Sequence, residues 1–227
     1  MKPSLFYVSF ILIVNTGGIA FAIEGAVIDS SGNKVLNNVP YHLGPLTAAK
    51  GGGFKLTNTM NNKKICPFDV VQEPSASSLG DKFTFTLINA NRPRYLRTEH
   101  ILAIGSGSLK GPCEKSTFWT IPDAEGKAPG NLITTGGGFE QRVTCFELVE
   151  YPKPKIGKVQ SYMLQHCPGR CSGVSDNCFN VSMYVDKKGV RRLASTGTDP
   201  FEFVFHKVAK YPNPGSIHGV SMNVEIP

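Results

Sequence analysis

Long apolar runs are nearly missing from this chain, and so are helix signals and catalytic motifs. The one sustained apolar stretch, Leu5 to Val14 broken by Ser9, falls short of the about 20 residues that span a bilayer. No later stretch is longer, so the sequence predicts no membrane anchor. Gly-x-Ser-x-Gly, His-Glu-x-x-His, a Walker loop and a GxGxxG ahead of a helix are all absent, and with them the common enzyme machineries. The five histidines, His42, His100, His166, His206 and His218, share no spacing that pairs them. Gly51-Gly52-Gly53-Phe54 and Gly136-Gly137-Gly138-Phe139 read as turns, because a phosphate cradle needs a following helix. A concentrated basic face is missing too. The net charge is +7, but its carriers are dispersed over Arg92, Arg94, Arg97, then Lys153, Lys155, Lys158, then Lys187, Lys188, Arg191, Arg192. Nucleic-acid binders gather such charge and interleave aromatics; here the cations belong to solvated turns.

What the chain does have begins at its N-terminus. Lys2, the short apolar run and Ala20-Phe21-Ala22 form the positive, apolar and small-x-small segments of an export signal. The sequence predicts a signal peptide over 1–22 and a protein that is secreted, extracellular or vacuolar. The 205 residues that remain (227 − 22) suit one domain with a core of its own. Six cysteines, Cys66, Cys113, Cys145, Cys167, Cys171 and Cys178, are read as disulfides in an exported chain; spacing alone leaves their pairing open. A zinc site from His166, Cys167, Cys171 and Cys178 does not match the usual ligand spacings, so neither metal nor cofactor is expected. Asn180-Val181-Ser182 is a sequon, which makes Asn180 the expected glycosylation position.

Short alternating runs recur between the 24 glycines and 16 prolines. They are Lys82–Ile88, Ser116–Ile121, Cys145–Val149, Val181–Val185 and Phe201–Phe205. Period-two alternation bounded by turn residues predicts strands with one buried face, and many such strands predict a sandwich or barrel. Asp186-Lys-Lys-Gly189 reads as a hairpin turn. The pattern dissolves beyond Val208, so the domain is expected over 23–211, with 212–227 a tail outside it.

Four segments carry a resemblance. Val27-Ile-Asp29-Ser-Ser-Gly32-Asn-Lys-Val35, five residues, then Tyr41-His-Leu43 is similar to the N-terminal signature of the plant Kunitz (soybean trypsin inhibitor) family. Cys66-Pro67 with Val70-Val71-Gln72, Thr117-Phe-Trp119, and Gly189–Ala194 with Pro200–Phe205 resemble later family segments in family order. The resemblance runs over roughly 26–210 and includes features of its miraculin-like branch.

It implies an all-β fold, a β-trefoil in which a six-stranded barrel is capped by three hairpins. It also implies an inhibitor and not an enzyme, a monomer that binds a target protease, most often a serine protease, through a rigid substrate-like loop. The family register places Thr84 at P1, the residue that enters the protease pocket, with Phe83 and Phe85 beside it. A plain core strand over 82–88 is the competing reading of the same residues. Thr84 carries no charge, so the inhibitor is not expected to be directed at trypsin. Arg94, Arg97 and Arg170 are the alternatives, and Asn37 falls where the family's loop-supporting Asn stands. Carried over by position, the family disulfides pair Cys66 with Cys113 and Cys167 with Cys178. Cys145 and Cys171 fall outside the family's four-cysteine pattern, and whether they pair with each other or link two chains stays open at this point. A non-inhibitory trefoil for storage, carbohydrate or receptor binding is the second functional reading.

Overall fold

The computed structural model describes residues 25–58, 66–88, 93–106, 117–122, 131–139, 141–152, 159–196 and 199–208. The expected leader, 1–22, and the tail, 212–227, lie outside them.

Alternation builds the strands. In β4, Phe83–Leu87, Phe83, Phe85 and Leu87 are buried while Thr84 and Thr86 are not; β9, Tyr162–His166, alternates in the same way. The remaining barrel strands are β1 (Pro40–Pro45), β5 (Ile101–Gly105), β8 (Phe146–Glu150) and β12 (Phe203–Lys207). Antiparallel pairing joins β1 to β4, β4 to β5, β5 to β8, β8 to β9, β9 to β12 and β12 back to β1. That closes a six-stranded ring. Closure leaves this ring without an edge strand.

Three hairpins cover one end: β2 (Phe54–Thr57) with β3 (Asp69–Gln72), β6 (Phe118–Thr120) with β7 (Thr134–Gly137), and β10 (Phe179–Val185) with β11 (Arg191–Ser195). β3 bridges them by pairing with both β7 and β11. A six-stranded barrel capped by three hairpins is the β-trefoil. Among the described residues, the only α-helix is α1, the single turn Pro168–Ser172.

Phe205 sits at the centre of the barrel. Its ring meets Tyr41, Phe85, Tyr162 and Phe203 at centroid distances of 5.9, 4.9, 5.8 and 5.6 Å, all edge to face. Such pairs add to plain area burial. Of the two glycine runs, the second is not a turn throughout: Gly136 and Gly137 belong to β7. A side chain at Gly137 would run into Thr144, so close packing of the strand against 142–144 selects glycine there. The Asp186–Gly189 turn forms as the sequence predicts. Asp186 Oδ1 accepts from the Lys188 and Val190 amides, bonds that hold its carboxyl below the ordinary range.

Candidate functional site

The turn ahead of β1 reaches across the β4–β5 connection and grips both of its limbs. On the ascending limb the Leu87 amide donates to Asn37 Oδ1 at 3.1 Å, and the Asn38 amide donates to the Phe85 carbonyl at 2.8 Å. Thr86 Oγ1 adds a weaker bond to Asn38 Oδ1 at 3.3 Å. On the descending limb the Asn37 amide donates to the Arg94 carbonyl at 2.9 Å. Leu36 bridges Tyr95, and the Leu96 amide donates to Val35. Asn38 takes a positive φ of 61°, a conformation asparagine tolerates better than most residues. That bend lets two successive residues face opposite limbs.

The descending limb is also braced from outside. Lys34 Nζ and the Arg94 guanidinium lie 5.1 and 5.5 Å from the Tyr95 ring centre, within cation–π range. Residues 89–92 lie outside the described residues. The connection therefore leaves the barrel at Ile88, itself buried, and returns at Pro93 and the exposed Arg94.

This geometry corrects the scissile position implied by the family register. Phe83 and Phe85 are both 0% exposed, and Phe83 packs its ring on Trp119 at 4.9 Å. Thr84 pairs with Gly105 on one side and Pro40 on the other. A residue hydrogen-bonded into a closed barrel cannot enter a protease cleft, so Thr84 is not P1. The core-strand reading of 82–88 holds, and the loop begins after it.

Arg170 is corrected too. Its guanidinium is bonded to Glu147, whose carboxylate is buried at 3% exposure, and faces Asp176 at 3.7 Å. It neutralises an interior charge and is not free to enter a pocket. Arg170→Ala would strand that carboxylate and should cost about 1–3 kcal/mol in urea unfolding, leaving protease inhibition unchanged. Arg97 is exposed but bridges Ala26, beyond the clamp. Of the three arginine alternatives, only Arg94 adjoins the gripped connection.

The cysteines brace the segments around α1. Cys145 is bonded to Cys171 and Cys167 to Cys178. Together they staple α1 to the start of β8 and to the segment ahead of β10. Cys66 is disulfide-bonded; Cys113, its expected partner, lies outside the described residues. Glu147 Oε2 approaches the Cys167 and Cys178 sulfurs, but sulfurs committed to a disulfide make no metal cage. Asn180 stands in β10, half-buried, with its Oδ1 accepting from Gln165 Nε2 at 3.0 Å.

Sequence reasoning missed Asn38, Lys34 and Tyr95. The Asn37-Asn38 repeat was the available signal. The stack on Tyr95 appears only once the strands are in register.

The chain belongs to the legume-type Kunitz family, described as trypsin and protease inhibitor, whose pattern matches residues 27–207. Trypsin inhibitor 1A of Psophocarpus tetragonolobus is 28% identical over 182 residues, 80% of this chain and 97% of that protein. Miraculin of Synsepalum dulcificum is 27% identical over 222 residues, 93% and 97% of the two chains. Soybean trypsin inhibitor, solved in complex with porcine pancreatic trypsin, superposes with a TM-score of 0.64 at 22% identity, covering 81% of this chain and 99% of that one. At that identity the likeness is one of fold.

Proposed function

We propose that this protein is an exported serine-protease inhibitor that offers the connection between Ile88 and Arg94 to the active-site cleft and works by binding alone. The observation that carries the reading is the double grip of the Asn37–Asn38 turn. Limbs fixed before association leave little conformational entropy to lose, and that is what makes a loop a tight inhibitor and not a good substrate. A bond cut between the limbs leaves both new ends held, so the cut loop does not leave the cleft.

The connection reads Asn89-Ala90-Asn91-Arg92-Pro93-Arg94. Pro93 removes Arg92 from tryptic chemistry, because a proline after the scissile bond lacks the amide hydrogen and fixes φ. The remaining P1 choices at the tip are uncharged, and a trypsin pocket would leave its buried acid unpaired against them.

A panel of trypsin, chymotrypsin, elastase and subtilisin tests this. The expected order puts trypsin weakest. Any residual trypsin inhibition should fall with Arg94→Ala and not with Arg97→Ala or Arg170→Ala. Asn37→Ala should weaken inhibition of the best target by about 10- to 100-fold, since it leaves the Leu87 amide unpaired. The same change should speed loop cleavage while the circular dichroism spectrum stays native.

A second reading, a trefoil used for storage or for binding a carbohydrate or receptor, is favoured by one observation: the similarity to miraculin runs over 93% of the chain. Failure to inhibit any protease of the panel would favour it over the first. Export, loss of 1–22, a glycan on Asn180 and a monomeric state are parts of the same proposal. One native mass spectrum of the secreted protein reads them together.

A further inference from the structure

The histidines that share no spacing in sequence are brought together by the barrel. β1 pairs with β12 so that His42 lies directly opposite His206. Tyr41, Leu43 and Phe205 are buried in the core, so their alternating neighbours His42 and His206 share the outer face. Directly opposed side chains on an antiparallel pair have Cβ atoms about 4.5–5.5 Å apart. Both residues are half-buried.

The two rings are also oriented alike. His42 Nδ1 lies 3.0 Å from the Asp81 carbonyl. A carbonyl only accepts, so Nδ1 carries the proton and Nε2 keeps its lone pair. His206 Nδ1 lies 3.1 Å from Ser30 Oγ, a hydroxyl that accepts from a protonated Nδ1 or donates to a bare one, so this ring too is held through its Nδ1. Among the described residues, no hydrogen bond reaches either Nε2. Gly44, next but one after His42 on the same face, gives the His206 ring its room. A Cβ there would stand 3.3 Å from His206 Nε2, so that nitrogen leans over β1, the strand that bears His42. An imidazole with one nitrogen tied to a carbonyl or hydroxyl and the other bare is the arrangement of a metal ligand with its outer shell in place.

We propose that His42 and His206 form a two-imidazole site for a borderline divalent transition ion, on the outside of the barrel across β1 and β12. Solvent would complete the coordination. Imidazole nitrogen suits zinc, copper and nickel over the oxygen-seeking magnesium and calcium. The site is separate from the gripped loop, and it owes nothing to the cysteines.

Calorimetric titration of the full chain with Zn2+ at neutral pH tests it. The expected result is saturable binding of one ion, weakened about tenfold or more by His42→Gln and by His206→Gln and unchanged by His100→Gln. Because His206→Gln could disturb the barrel, a second measurement uses the unaltered protein. In proton spectra the ring resonances of His42 and His206 should move together and saturate at one equivalent of Zn2+. Absence of saturable binding would overturn the proposal. So would binding that survives both substitutions, or movement of only one of the two rings.

Discussion

Replacing Phe205 by alanine should lower the unfolding free energy by about 3–5 kcal/mol, the cost of truncating a buried phenylalanine to a cavity. Phe205 is 0% exposed, and it touches rings from β1, β4 and β9 as well as its own strand. Because those strands lie on different sides of the barrel, no single neighbour can relax to fill the space. The high end of the range is therefore expected. In a domain of this size that is a fall in Tm of about 10 °C or more. Val174→Ala, at a position 82% exposed, should change stability by no more than about 0.5 kcal/mol. Equal effects from the two substitutions would contradict the placement of the core.

Acid should act through His166. The ring is 0% exposed and packs on Phe146 at 5.3 Å, and among the described residues neither nitrogen makes a well-formed hydrogen bond. Burial pushes its pKa from 6.5 down to about 4; the nearby carbonyls of Val143 and Arg142 offset this only in part, and the Arg142 charge adds to it. The folded protein keeps the ring neutral where the unfolded chain takes up a proton. The stabilisation is whole above the unfolded value, is lost as pH falls from about 6.5 toward 4, and is gone below that. A gap of that size corresponds to about 3 kcal/mol. His206, also lowered, by burial and by His42, adds a slope of the same sign. Urea midpoints measured between pH 7 and pH 4 should fall accordingly, and His166→Leu should flatten most of the slope. An unchanged slope in that variant would show that another group titrates.

Much of the fold was legible from alternation. Lys82–Ile88, Cys145–Val149, Val181–Val185 and Phe201–Phe205 fall on β4, β8, β10 and β12; β4 keeps one face in the core and one outside, whereas in β8 and β12 the intervening Glu147 and Val204 are buried as well. β5 was harder to read. Ile101-Leu-Ala-Ile-Gly105 is buried almost throughout, so it carries no alternation. β7 hid behind its glycines, chosen for close packing and not for a turn. α1 has no helical pattern, because two disulfides and a proline at its start set its fold. The candidate site was half legible. Asn37 follows from its distance to Asp29 in the family signature. Thr84 was placed by the family register alone. The two phenylalanines around it already stated the answer, since alternate aromatic residues are the mark of a core strand. Where an imported register and a local physical pattern disagree, burial decides. The Arg170–Glu147 pair was invisible, because nothing in sequence links a turn arginine to a buried strand carboxylate 23 residues earlier.

The central claim is that the loop gripped by Asn37 and Asn38 is the one a protease engages. Incubating the protein at low pH with a catalytic amount of the protease it inhibits best, then mapping the single nicked bond by mass spectrometry, tests it most directly. The nick should lie between Ile88 and Arg94, and both fragments should stay associated until the chain is denatured. A nick within Phe83–Phe85, at Arg170 or in the hairpin cap would contradict it.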